Sequence, residues 1–240
     1  MNKKRIAALA LLALCLIGMC RIYAIANKVE GKSQKTTSAN SDLSMPIAEP
    51  VDLGLSVLWA SWNVGATAPE EDGFYYAWGE VEPKSFYDWN TYSLCKGKIN
   101  TCEDIDEISG TERDVAHVKW GGKWRMPTRA EVKELCNRCN TKWTVKNGRL
   151  GVELVRKING EQKSIFLPAS GYRYRGDLCN LGDGKGALKF GGYWSGTQRN
   201  LRGGRALALV FKAQMQFQER AGWGDSERCT GFPIRPVMDK

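Results

Sequence analysis

The sequence holds one histidine in 240 residues, His117. That scarcity excludes several chemistries at once. A histidine-based zinc site needs close Cys/His pairs, and a serine or cysteine nucleophile needs a base beside it. Ser195 lies in Tyr193-Trp194-Ser195-Gly196-Thr197, which is not a G-x-S-x-G elbow. The Gly182-Asp183-Gly184-Lys185-Gly186 stretch has neither the oxygen spacing of a calcium loop nor the length of a phosphate-binding loop. Internal repeats are also missing, which removes solenoids and propellers.

Acidic residues are absent from the first 26 positions. Lys3, Lys4 and Arg5 open the chain, an apolar run follows from Ile6 to Cys20, and Ala24-Ile25-Ala26 supplies a small-x-small pattern. The run is shorter than the roughly 20 residues that cross a bilayer comfortably. The pattern is that of a secretory signal over 1–26, cleaved after Ala26. A retained anchor is the alternative, because Arg21 interrupts the exit from the apolar run; Met19 disfavours acylation at Cys20. Export places the protein in the periplasm, on the cell surface or in the medium, and the membrane is a partner only if the segment is retained.

The signal also carries four of the 35 Lys+Arg, so its removal lowers the net charge from +9 to +5. A basic exported protein fits a glycan or protein ligand at the cell surface, of acidic chemistry, and not a nucleic acid. Six cysteines stay: Cys95, Cys102, Cys136, Cys139, Cys179 and Cys229. An even count in an oxidising compartment predicts disulfides. Cys95 and Cys102 are seven positions apart, a ring cheap to close, and a second bond is expected between Cys179 and Cys229.

Residues 27–50 are polar and read as a flexible tether. From Val51 to Val64 apolar residues are dense enough for a buried strand, and Phe74–Trp78 reads as a second short one. Gly79–Gly110 has weak periodicity and reads as a long loop. Thr128 and Glu131 make a T-x-x-E capping box, followed by Val132, Leu135, Cys136 and Cys139 at i, i+3, i+4 and i+7; a helix with one buried stripe follows. A shorter helix is expected over Glu112–Trp120. Asn147-Gly148 and Asn159-Gly160 are hairpin turns joining a meander. Strands are expected at Tyr193–Thr197, Ala206–Phe211, Met215–Gln218 and Phe232–Val237. A long loop, then helices, then a meander makes the fold α+β.

Val51-Asp52-Leu53-Gly54-Leu55-Ser56-Val57, Asn63-Val64-Gly65-Ala66, Ala77-Trp78-Gly79-Glu80, Trp120 through Thr128, Leu167 through Arg173 and Gly231 through Val237 occur in the order of a domain common in Bacteroidetes. Over 51–238 the chain resembles the Fibrobacter succinogenes major paralogous domain. That family is similar in turn to the C-type-lectin-like fold of sulfatase-modifying (formylglycine-generating) enzymes. The resemblance implies a C-type-lectin-like domain at 51–238. It does not carry the activity over: the enzymes use a cysteine pair before the closing strand, and here only Cys229 stands there. Similar domains act as ligand-binding proteins whose changed residues lie near the C-terminal end.

The Cys136-Asn137-Arg138-Cys139 pair closes a helix, where the dipole raises a thiol pKa, so it reads as structural rather than redox-active. No catalytic residue, metal or cofactor is expected. Ligand recognition is expected on two loops, one with Gln198, Arg199, Arg202 and Arg205, the other with Arg220, Trp223 and Asp225. Arg and Trp are the residue types that anchor interfaces. The expected function is an exported binding module. The rival readings are a diverged enzyme of the sulfatase-modifying fold and a structural part of a surface assembly. Export makes one direct prediction: mass spectrometry of the native protein should find a chain beginning at Asn27, and a chain still beginning at Met1 would turn the signal into an anchor.

Overall fold

A computed structural model describes residues 45–180, 188–199, 203–214, 217–218 and 220–240. The expected signal, its cleavage point and most of the tether lie outside them. The domain takes in residues upstream of Val51: Ala48 is buried, and Pro50 pairs with Ala60. Proline is tolerated there because β1 (Pro50–Val51) is an edge strand.

Among the described residues the architecture is antiparallel sheet with two short α-helices. The dense stretch after Val51 is a hairpin and not one strand, because Gly54 turns the chain at positive φ between β1 and β2 (Val57–Ala60). β3 (Trp124–Arg125) and the closing strand β13 (Val237–Asp239) complete a sheet ordered β1-β2-β13-β3. The expected strand at Phe74–Trp78 is reduced to one bridge between Tyr76 and Phe232. The stretch Phe232–Val237 is mostly irregular, since its polar groups serve other loops as well as a ladder.

Helix α1 (Val115–Trp120) is shorter than expected and starts after Asp114. One Asp114 oxygen accepts from Ala116 and His117 amides, and the other accepts from Gly110 and Met126, each at 2.7 Å. Burial pushes this carboxyl above its ordinary value, and those four amides work against the shift. Helix α2 (Arg129–Arg138) has both bonds of the capping box between Thr128 and Glu131. Its stripe is buried as the spacing predicts.

β4 (Asn140–Lys146), β5 (Arg149–Ile158) and β6 (Glu161–Pro168) form the expected meander. Asn147 and Asn159 adopt positive φ at its two turns. β7 (Tyr172–Tyr174) and β8 (Asp177–Cys179) make a small hairpin. The last sheet holds β9 (Leu188–Gln198), β10 (Arg205–Gln214), β11 (Phe217–Gln218) and β12 (Gly222–Glu227).

β9 and β10 are buried on both faces. Tyr193, Leu209 and Phe211 join a cluster with Trp59, Leu135, Val152 and Leu167. Trp194, Ala206 and Ala208 face the opposite way, among Trp78, Val115, Trp124 and Phe232. Gly191 is opposite Phe211 in the register, and a Cβ there would run into the Phe211 ring.

Two buried arginines lock loops to this frame. Arg235 donates through Nε to Asn63 Oδ1 at 2.8 Å, and through its Nη atoms to the carbonyls of Ala60, Ser61 and Phe166 at 3.1, 2.9 and 3.0 Å. Burial lowers its pKa to about 10, still well above neutrality. Arg228 donates to Tyr92, Glu103 and Gln198, with its guanidinium 4.5 Å from the Trp78 ring centroid. Replacing Arg235 by methionine strips donors from four acceptors, at about 1–3 kcal/mol for each one left unsatisfied. Arg235→Met should therefore lower the unfolding free energy by about 3 kcal/mol or more in urea titrations; an unchanged midpoint would mean that water replaces the clamp.

Candidate functional site

The residues expected to recognise a ligand fall on three elements and not on two loops. Gln198 ends β9, Arg205 begins β10, and Trp223 and Asp225 belong to β12. The stretch after Arg220 was expected as a loop because Gly222-Trp223-Gly224-Asp225 carries no apolar alternation. It is a strand because β10 supplies a six-residue antiparallel partner, from Arg205 opposite Glu227 to Val210 opposite Gly222. Among the described residues β12 has no strand on its other side.

Gln198 is not a surface residue. It is buried, and its amide accepts from Ile105 N and Arg228 and donates to Asp104. Its work is to fasten the end of β9 to the 103–106 segment. Arg202 lies outside the described residues. Arg199 and Arg205 do come together, but with an acid between them. Asp225 pairs with Arg199 at 2.7 Å and also with Arg205, which adds a bond to the Asp225 carbonyl at 3.1 Å. The arginine side chains are 48% and 42% exposed and Asp225 only 18%, so each cation keeps part of its fork open to solvent. One carboxylate shared by two guanidiniums leaves the group net positive, with both forks held in place.

Trp223 lies against α2. Its ring centroid is 4.5 Å from Lys133 Nζ and 5.3 Å from the Arg129 guanidinium. Those residues are four apart and share one helix face, so they form a cationic ridge along which the indole rests, each contact contributing about 0.5–1 kcal/mol at an exposed site. The ring is 47% exposed. Arg129 and Lys133 were not among the expected residues; the available signal was two cations at i, i+4 on the polar side of a capped amphipathic helix. Arg220 is exposed just before β12. The site is thus a ridge carrying Arg129, Lys133, Trp223, Asp225, Arg199 and Arg205.

The cysteines divide differently from expectation. Cys95 and Cys102 are bonded, as their spacing predicts. Cys179 and Cys229 are both free. Cys229 is buried with Tyr75, Tyr87 and Tyr92, whereas Cys179 is half-exposed at the end of β8 opposite Tyr172. Tyr172, the cross-strand partner of Cys179, packs against a different cluster from the one that holds Cys229. Burial pushes the Cys136 and Cys139 thiols to about 12 and 11, and burial with the Glu227 charge pushes Cys229 to about 12. The Ser195 hydroxyl donates to the Leu207 carbonyl at 2.9 Å. No helix among the described residues is long and apolar enough to cross a membrane.

Compared with family models, known proteins and solved structures, the chain matches none.

The thiol environments set an order of reactivity, because the thiolate is the reacting species. Alkylation of the folded protein at pH 8 should label Cys179 first and leave Cys136, Cys139 and Cys229 protected until denaturant is added, as peptide mapping would read. Rapid labelling of Cys136 in the native state would contradict its burial.

Proposed function

We propose that this chain is an exported, non-catalytic binding module of C-type-lectin-like fold, related to the Fibrobacter succinogenes major paralogous domain. In this reading it takes an acidic glycan or protein ligand on the ridge between α2 and β12. The observation that carries the reading is Trp223: a large ring, half-open, resting on Arg129 and Lys133, two positions along β12 from Asp225, which holds Arg199 and Arg205. Side chains ordered before the ligand arrives cost less to immobilise on binding. Guanidinium forks pair with carboxylate or sulfate in a fixed geometry. The resemblance to domains with ligand-binding C-terminal regions points to the same part of the chain. The Cys95–Cys102 bond is consistent with an oxidising compartment.

Asp225 makes the reading specific enough to test. It partly neutralises the arginines, so removing it and removing them should act in opposite directions. With a sulfated oligosaccharide as probe in calorimetric titrations, Trp223→Ala and the Arg199→Ala/Arg205→Ala pair should each weaken binding by about 2 kcal/mol. Asp225→Asn should tighten it, and added salt should weaken all forms because exposed charges are screened. Unchanged affinity in Trp223→Ala, with an unchanged melting temperature, would place recognition elsewhere.

A further inference from the structure

We infer a second ligand site, a groove of about 490 Å³ between the Gly73–Tyr75 segment, the 83–87 turn and Arg173 of β7, whose ligand is a carboxylated sugar ring. The groove shares no residue with the Trp223 ridge. Its volume is within the roughly 300–1,000 Å³ of small-molecule sites.

Arg173 supplies the charge. Its guanidinium lies 5.2 Å from the Tyr75 ring centroid, stacked rather than paired. Its backbone exchanges two hydrogen bonds of 2.8 Å with Gly231, so the side chain starts from a rigid point. Among the described residues the guanidinium makes no ion pair and donates no hydrogen bond, leaving its planar fork open toward the groove. Lys84, the other cation in the lining, is already committed to Glu80 at 2.7 Å and the Thr91 carbonyl at 3.0 Å. A carboxylate entering the groove therefore meets one free fork, the geometry that favours bidentate pairing.

The remaining lining suits a ring with an apolar face. Phe74 is 46% exposed and lines the groove together with Pro83. Gly65 permits this placement: it has a φ of +81°, and a Cβ there would collide with the Phe74 ring. Tyr75 and Tyr87 turn their hydroxyls into the fold, donating to the carbonyls of Ser170 and Tyr75 at 2.6 Å each. Both are buried, so they back the groove from beneath and keep no free hydroxyl. The exposed Ser85 hydroxyl is left for a sugar hydroxyl to use. An extended acidic peptide fits less well, because the backbone edges here are consumed: Tyr87 and Arg175 bond each other in both directions, as do Arg173 and Gly231. No open strand edge in the lining is left for β-addition.

The test is titration of the purified protein with trigalacturonate, its methyl ester and neutral galactotriose, followed by calorimetry and by NMR shifts of labelled aromatic residues. Trigalacturonate should bind saturably and perturb Phe74 and Tyr75, and the ester and the neutral sugar should bind at least tenfold more weakly. Arg173→Ala and Arg173→Lys should each weaken trigalacturonate binding at least tenfold, since lysine keeps the charge and loses the fork. Phe74→Ala removes an exposed ring without touching the charge and should weaken it as well, while Trp223→Ala leaves it unchanged. Absence of saturable binding, equal affinity of Arg173→Ala and wild type, or tighter binding of an aspartate-rich peptide at the same shifts would overturn the assignment.

Discussion

The Arg235 guanidinium is the interaction on which the two sheets and the first loops depend. A buried cation is costly unless its donors are satisfied, and here they are met by carbonyls and one amide with no acid involved. That chemistry forces three separate pieces of chain to converge: the end of β2 at Ala60 and Ser61, the turn at Asn63, and β6 at Phe166. Asn63 passes the constraint on, since its amide nitrogen holds the carbonyls of Glu71 and Asp72. Phe74 N then bonds Val64 O, so the Gly73–Tyr75 segment is set by a residue 160 positions away in sequence. Arg228 does the same for the long loop, joining Tyr92, Glu103 and Gln198 around one buried fork. Neutral acceptors suit arginine better than lysine here, because a planar fork reaches several carbonyls at once.

What the sequence made legible was local. The Thr128–Glu131 box, the two Asn-Gly turns and the short Cys95–Cys102 ring each need only neighbours in the chain, and each is present. What it hid depended on distant partners. β12 has the composition of a loop, and only its ladder to β10 makes it a strand. Gln198 has the polarity of a surface residue, yet Asp104, Ile105 and Arg228 bury it. Arg199 and Arg205 resemble free recognition charges until Asp225, 20 residues beyond Arg205, is seen between them. The Cys179–Cys229 pairing failed for the same reason, because an even cysteine count says nothing about where the chain carries each thiol.

The two candidate surfaces share a design, in which a cation is steadied by an aromatic ring rather than by an acid alone. On the ridge, Trp223 rests on Arg129 and Lys133; in the groove, Arg173 rests on Tyr75. Stacking leaves the in-plane donors of a guanidinium available, whereas a salt bridge occupies them. Each surface is tied by backbone hydrogen bonds to the frame beneath it. β12 is laddered to β10, and Arg173 is bonded to Gly231 just before the irregular chain that leads to Arg235.

β12 also decides how copies of this protein treat one another at high concentration. An unpaired strand edge is a template on which a neighbouring molecule can add its own backbone. Here the edge is six residues long, two of them are glycine, and it carries Asp225 and Glu227. In a full antiparallel register a second copy would set these acids opposite Gly222 and Gly224 and not opposite each other, and Asp225 is already held by two arginines. Short length and glycine, which weakens a strand, therefore protect the edge. The molecules can be packed densely, in solution or on a surface, without being stitched into a continuous sheet.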